Sequence, residues 1–215
     1  MLPGRHLASI SELCELPPMP DASEWNGVDI AYLDRDGVLN IGSEKYINNI
    51  SELNVYPDAG DTVASIRKSG FRICIVTNQS PIGRGLWSHE RLAEINSALQ
   101  VELLSQNPDA HLDLILYSPY APWENAWSRK GNPGMLQVGR QILNASNEGF
   151  QIMEFDYGPN YVSVDEGNSF MVGDRMADML AGKAFGIRTF KCNPDVGVSE
   201  VLSRVLDFTD RGDDI

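Results

Sequence analysis

The feature that most constrains this chain is a regular alternation of short apolar runs with amphipathic stretches. The runs are Val28–Asp34, Phe71–Thr77, Leu112–Ser118, Ser169–Asp174 and Ile187–Lys191. Each has the length and apolar content of a buried strand. Between them the pattern predicts four helices. One covers Asp58–Lys68 with Gly70 as its C-cap, and one covers Ser88–Ser105 with Ser88 as its N-cap. A third begins at Pro133 and runs to Ala145, and the fourth covers Arg175–Phe185, closed by Gly186. Strands apolar on both faces, alternating with helices, imply an α/β fold: a parallel sheet between helical layers, joined by right-handed crossovers. Such a sheet binds ligands beyond the carboxyl ends of its strands. Asp34, Thr77, Ser118 and Asp174 stand at those ends.

Composition narrows the function classes. The chain has 215 residues, 42% of them hydrophobic, so it can bury a full core in one domain or two small ones. Asp and Glu number 30 against 17 Lys and Arg, a formal net charge of −13. A nucleic-acid partner is disfavoured, because gripping a phosphate backbone needs an excess of cations. Much of the acidity is terminal: residues 1–27 carry a net −3 and residues 195–215 a net −4. No apolar stretch reaches the roughly 18 to 20 residues a membrane helix needs, and no signal peptide is visible, so a cytoplasmic protein is expected. Cys14, Cys74 and Cys192 are scattered, without a CxxC pair, which suits a reducing compartment. Residues 1–27, with Pro3, Pro17, Pro18 and Pro20, read as an N-terminal arm, residues 28–192 as the domain, and residues 193–215 as an acidic C-terminal segment.

Four segments carry the chemistry. Asp34-Arg-Asp-Gly-Val-Leu-Asn40 sets two carboxylates two residues apart after the first strand. Thr77-Asn-Gln-Ser80 supplies a hydroxyl and amides after the second, Arg129-Lys130 adds cations before the third helix, and Gly173-Asp-Arg-Met-Ala-Asp178 brings two more acids. A lone DxDG would read as a polar turn capping a strand. Four such segments in this order are a far more specific signal.

From about Val28 to Lys191 the chain resembles the haloacid dehalogenase (HAD) superfamily. Asp34-Arg-Asp-Gly, Thr77-Asn-Gln-Ser, Gly83-Arg-Gly85, Arg129-Lys130, Pro133-Gly-Met135 and Val172-Gly-Asp174 are similar to its capless branch. That branch contains D-glycero-D-manno-heptose 1,7-bisphosphate phosphatase and histidinol-phosphatase. The resemblance implies a HAD-like Rossmannoid three-layer sandwich. Little room for an inserted cap remains between Asn40 and Pro57 or between Thr77 and Ser118. A small, open-sited phosphatase is expected.

Phosphomonoester hydrolysis requires in-line positioning and charge stabilisation of a spread-out phosphoryl transition state. An Asp nucleophile divides it into two easier steps through an aspartyl-phosphate. Asp34 is the expected nucleophile, and Asp36 the general acid/base that serves the leaving group and then the attacking water. Two anions facing a phosphate need a cation. Mg²⁺ suits Asp34, the backbone carbonyl of Asp36 and Asp174, with Asp178, one helical turn on, as an outer or occasional ligand. Lys130 and Thr77 are expected on the transferring phosphoryl oxygens, with Asn78 orienting substrate. Gln79, Ser80 and Arg84 form a second tier of substrate contacts, and the resemblance adds Arg129 and Arg175. The flap Asn40–Tyr46 is expected to line the mouth, and Arg35 to shield the acidic pair.

Two stretches depart from the relatives. Their zinc loop begins with a Cys-x-His and ends with a Cys-x-Cys before the Arg-Lys pair. Here Ser118, Tyr120, Ala126 and Ser128 occupy those positions, so no structural zinc is expected, and Trp123, Trp127, Pro119 and Pro122 are candidates to stiffen the loop instead. Gly131 also replaces the proline that commonly follows the Arg-Lys pair. The connection 147–168 is longer than in the relatives and rich in aromatics. An extra hairpin, an oligomer contact and a pocket wall are all open for it.

The expected function is a Mg²⁺-dependent phosphomonoester hydrolase acting on a small phosphorylated metabolite, with a sugar phosphate of the heptose bisphosphate kind leading. Histidinol phosphate is the alternative. A polynucleotide 3′-phosphatase shares the DxDG, the TNQ and an Ile-Gly-Arg-Gly like Ile82–Gly85, but would call for a basic groove. A non-catalytic HAD-fold module would be expected to lose residues such as Asp34 or Lys130, and both are present.

Overall fold

A computed structural model of the chain describes residues 10–149, 152 and 154–214. The first part of the expected arm, residues 1–9, and Phe150, Gln151 and Met153 of the long connection lie outside the described residues. In chain order the elements are α1 (Ile10–Cys14), β1 (Ile30–Leu33), α2 (Ala59–Lys68), β2 (Arg72–Asn78), α3 (His89–Gln106), β3 (Leu114–Ser118), α4 (Gly134–Glu148), β4 (Phe170–Gly173), α5 (Met176–Phe185), β5 (Arg188–Lys191) and α6 (Leu202–Val205). The five strands form one parallel sheet in the order β3-β2-β1-β4-β5. Every strand and main helix predicted from the sequence is present, with ends shifted by at most three residues.

Strand alternation builds two cores. Ala31, Leu33, Ile73, Ile75, Phe170 and Val172 face α2, α3 and α6 through Val63, Ile66, Leu99, Leu103 and Val205. Ile30, Tyr32, Cys74, Val76 and Met171 face the other way, onto α1, α4 and α5 through Leu13, Leu136, Ile142, Ala181 and Phe185. Period-two burial on both faces is what a sheet covered on both sides demands. The result is the expected three-layer α/β sandwich. The caps agree with the sequence signals: the Ser88 side chain accepts from the Arg91 amide, and Gly186 is left-handed at the end of α5. Among the described residues, the connection from β1 to α2 holds only a short 3-10 turn, Ile50–Glu52, and no cap domain.

The terminal stretches are packed. The described part of the arm is strapped to the domain. The Ser146 hydroxyl donates to the Cys14 carbonyl, and Arg72 and Arg67 donate to the carbonyls of Pro17 and Pro18. Both arginines also pair with buried Asp113, which accepts from the Ile73 amide. The acidic C-terminal segment contributes Val198, Val201 and Val205 to the first core. Two of its acids are spent locally: Arg204 pairs with Asp210 and Asp213, each at 2.9 Å.

Residues 154–168 contain no strand among the described residues, so no hairpin forms there. They run as an irregular strap fastened to α4. Gln141 exchanges two hydrogen bonds with the Asp156 backbone, and Gln137 two with Gly158. Arg140 grips Glu166 with two bonds of 3.0 Å from Nε and reaches the Val28 carbonyl.

Candidate active site

The carboxyl ends of the parallel strands converge on one cavity of about 450 Å³. It is lined by Asp34, Asp36, Thr77, Asn78, Gln79, Ser80, Arg84, Arg129, Lys130, Arg175 and Asp178, together with flap residues Ser43, Glu44, Tyr46 and Ile47. Four loops far apart in sequence meet because β1 lies between β2 and β4. Asp174 adjoins this lining. Oxygens of Asp34, Asp174 and Asp178 lie within 4.8 Å of one another.

Close approach of these acids depends on two glycines. Gly37, the glycine of the DxDG motif, has φ +80°, and a Cβ there would lie 2.7 Å from the Asp174 carboxylate. At Gly173 a Cβ would come within 2.2 Å of Asp178. Any side chain at either position would push the acids apart.

The floor is tightly wired. The Lys130 ammonium lies 2.7 Å from both Asp34 Oδ1 and Asp178 Oδ1. The other oxygen of Asp178 accepts from the Arg175 amide and caps α5, so both of its oxygens are engaged. Asp36 is fully subscribed: Arg35 donates from Nη2 to both of its oxygens, Asn40 Nδ2 to one and Gln79 Nε2 to the other. Arg35, wholly buried, also reaches Asn96 on α3. Arg35 thereby shields and orients the acidic pair. Thr77 Oγ1 accepts from Gln79 at 2.9 Å, which leaves its own O–H free to turn into the cavity.

Electrostatics follow from this wiring. Burial pushes the Asp34 carboxyl up to about 6, against the pull of Lys130, while Asp178 and Asp36 add repulsion. Asp174 is also raised, by burial and then by Asp34. Burial acts upward on Asp36 too, but the Arg35 charge and the hydrogen bonds from Arg35, Asn40 and Gln79 outweigh it, so its carboxyl sits below the ordinary range. Lys130 is raised, because its two acids overcome its own burial.

This floor fits a hard cation. Asp174 Oδ1 is buried without a hydrogen-bond partner, beside two further carboxylates, and oxygen-only donor sets of this kind suit Mg²⁺. At Ser118, Tyr120, Ala126 and Ser128 the chain offers no thiol or imidazole.

The rim differs in kind. Arg129 is half-buried and donates to the Tyr120 carbonyl at 2.7 Å. Arg84 lies over the Trp123 ring at 5.0 Å, and Arg175 is largely exposed, 3.6 Å from Asp174. Burial first, and then the nearby charges of Arg84 and Arg175, lower Arg129. Three guanidiniums thus line the one cavity. Near Arg129, Tyr46, a bulky residue with φ 66°, packs edge-on against Trp87, whose indole donates to Asn48.

Two expected substrate contacts, both lining the cavity, also hold their neighbours in place. Asn78 bonds the Lys130 backbone in both directions, accepting from its amide at 2.9 Å and donating to its carbonyl at 3.2 Å, so it positions Lys130. The Gln79 amide is spent on Asp36 and Thr77. Asn40 was the residue whose role sequence reasoning missed. Its signal was its place four residues after Asp36, at the end of the same motif.

No protein-family model matches the chain. The chain is 32% identical over 152 residues to the D-glycero-beta-D-manno-heptose-1,7-bisphosphate 7-phosphatase of Pseudomonas aeruginosa, covering 71% of this chain and 74% of that one. To the enzyme of the same name from Pseudomonas putida it is 35% identical over 154 residues, 72% of this chain and 76% of the other. Among solved structures, the D,D-heptose 1,7-bisphosphate phosphatase of B. bronchiseptica, complexed with magnesium and phosphate, aligns with a TM-score of 0.62 at 23% identity, covering 82% of this chain and 86% of that one. A HAD-like phosphatase from Mesorhizobium loti aligns with a TM-score of 0.63 at 24% identity, over 87% and 88%.

Proposed function

Because the chain belongs to the family of D-glycero-D-manno-heptose-1,7-bisphosphate 7-phosphatases, a HAD-type phosphatase family, we propose that it hydrolyses one phosphate of a heptose bisphosphate with Mg²⁺. The observation that carries the substrate reading is the set of charges lining one cavity: buried acids tied to a single lysine, and three further arginines, Arg84, Arg129 and Arg175, beyond what one phosphate at the acids would need. A substrate with a second anionic group matches that surplus. Histidinol phosphate would bring its cationic amine toward the arginines, so the charge pattern favours the bisphosphate. A 3′-phosphorylated oligonucleotide would need a cationic track, and the described groove offers only this one cluster.

In the proposed mechanism an Asp34 oxygen attacks phosphorus, the bond from phosphorus to the leaving sugar oxygen breaks, and an aspartyl-phosphate forms. Asp36 hands its proton to the leaving oxygen and later takes one from the water that attacks phosphorus and frees Asp34. The Arg35 grip favours the ionised form of Asp36, suited to the second step. An incoming phosphate dianion favours the protonated form needed for the first. Lys130 and the Thr77 hydroxyl stabilise the equatorial phosphoryl oxygens. Asp34, the Asp36 carbonyl and Asp174 would hold Mg²⁺, with Asp178 in support through Lys130. When bound, the ion would supply positive charge to offset that of the transferring phosphoryl group. Arg129, Arg84 and Arg175 would take the distal phosphate, with Ser80 lining the path between.

The test is phosphate release from D-glycero-D-manno-heptose 1,7-bisphosphate, the 7-monophosphate, histidinol phosphate and a 3′-phosphorylated oligonucleotide, with Mg²⁺ and with chelator. The bisphosphate should lead by kcat/KM, and chelator should abolish turnover. Asp34→Asn should remove more than about 1,000-fold of kcat and leave no phosphoenzyme in acid-quenched intact mass, with an unchanged far-UV spectrum. Retained turnover in that variant would overturn the nucleophile assignment, and preference for histidinol phosphate the substrate.

A further inference from the structure

The strap 154–161 and the loop 119–129 that leads to Arg129 and Lys130 meet at one buried side chain, Gln137 on α4. Its exposure is 4%. Gln137 Oε1 accepts from both the Trp127 indole and the Gly158 amide, each at 2.9 Å, while Nε2 donates to the Gly158 carbonyl at 3.2 Å. One turn on, Gln141 pins Asp156 in the same two-way fashion. Paired amide-to-peptide bonds from residues four apart on one helix face hold the strap at a fixed height along α4. Trp127 is therefore fixed by a group that itself depends on the strap. The fit is close: at Gly134 a Cβ would lie 2.4 Å from the Trp127 carbonyl.

The two cations that follow Trp127 depend on this contact unequally. Lys130 is held independently of it, by Asn78 on both sides of its peptide and by two carboxylates, and the next amide, Gly131, donates to Ala177. The Arg129 side chain has no such anchor. Its carbonyl accepts from the Asn132 amide, but its amide donates to the Ala126 carbonyl and its guanidinium to the Tyr120 carbonyl, both within the loop. Where the loop moves, the Arg129 guanidinium moves with it and the Lys130 ammonium stays.

We propose that Gln137 is a positioning residue for substrate selection: the strap, through Gln137 and Trp127, sets the place of Arg129 at the rim without touching substrate or the reacting atoms. The inference rests on the reading of Arg129 as a contact for the distal phosphate. It makes the strap a brace for specificity and leaves the chemistry at Asp34 untouched.

The experiment measures kcat and KM of full-length variants on heptose 1,7-bisphosphate and on the 7-monophosphate. Gln137→Leu should raise KM for the bisphosphate roughly five- to tenfold, with kcat within about twofold and the monophosphate nearly unaffected. Trp127→Phe, which removes the indole N–H and keeps a smaller aromatic ring in its place, should reproduce the effect at a smaller size, and it serves if Gln137→Leu fails to fold. In the Arg129→Ala background neither change should add anything. A fall in kcat on both substrates would show a merely structural role and overturn the proposal. So would a bisphosphate KM that stays at the wild-type value in well-folded variants. Should Arg129→Ala itself fail to reduce the preference for the bisphosphate, the distal-phosphate reading is what falls.

Discussion

The floor and the rim of the cavity are built by different physics. On the floor, Asp34, Thr77, Lys130 and Asp178 are each less than a tenth exposed, and each is fixed by at least one charged or hydrogen-bonded neighbour. Asp34 and Thr77 are delivered by strand ends whose register is locked by a sheet buried on both faces, Asp178 by the first turn of α5, and Lys130 by a loop that Asn78 and two carboxylates pin to them. On the rim, Arg84, Arg129 and Arg175 come from loops and are held by an aromatic face, a carbonyl and a distant carboxylate. A reaction common to many phosphate esters needs the first arrangement. Choosing among esters needs the second, which can change without disturbing the sheet.

The sharpest way to break this comparison is to loosen one floor residue without removing it. Asn78 lines the cavity and holds the Lys130 backbone in both directions. Asn78→Ala should lower kcat roughly 10- to 100-fold while changing KM for the bisphosphate little, since a displaced ammonium acts mainly in the transition state. Steady-state kinetics on the bisphosphate decide it. An unchanged kcat would mean that the two carboxylates alone suffice to place Lys130.

A second measurement asks whether the floor is strained before any cation arrives. Asp34 and Asp174 have carboxyls raised by burial. A carboxyl whose folded pKa lies above its unfolded value favours the folded state most at low pH, and that contribution is lost as pH rises through the folded value. In chelator, the wild-type protein should lose stability relative to Asp34→Asn between about pH 4 and pH 7, by at most roughly 3 kcal/mol for a shift from 3.8 to about 6. Thermal melts of the two proteins across that range give the difference, and added Mg²⁺ should recover it for the wild type alone. Parallel melting curves at every pH would mean that Lys130 already compensates the buried charge in full.

The same division governs what the sequence revealed. Asp34, Thr77 and Asp174 were legible because a buried parallel strand announces its own end, and the fold places strand ends together whatever the loops do. Gly37 and Gly173 were visible as motif letters, but their reason, room for neighbouring carboxylates, exists only in three dimensions. Asn78 and Gln79 were seen as polar residues after a strand. That their amides turn inward, to Lys130 and to Asp36 with Thr77, depends on partners 43 to 52 residues away. The strap 154–161 left no periodic signal at all, because irregular backbone held by side-chain amides has none. Residues 193–215 were legible as acidic, but that Val198, Val201 and Val205 among them are buried in the core depends on the partners the fold brings to them.

The smallest predicted effect lies at the outermost cation. Arg175 is 66% exposed at its side chain, and its nearest carboxylate is 3.6 Å away on Asp174, so its charge is well screened by solvent. Arg175→Ala should raise KM for the bisphosphate only about two- to threefold, against a larger loss for Arg129→Ala, whose guanidinium is half-buried and anchored. Salt separates the two further. The Arg175 contribution should fade between low and physiological ionic strength, while kcat, set by the buried floor, stays level. Should Arg175→Ala instead lower kcat at all salt concentrations, its charge would belong with Asp174 and the floor, and the line between the two regions would have to be drawn one residue further out.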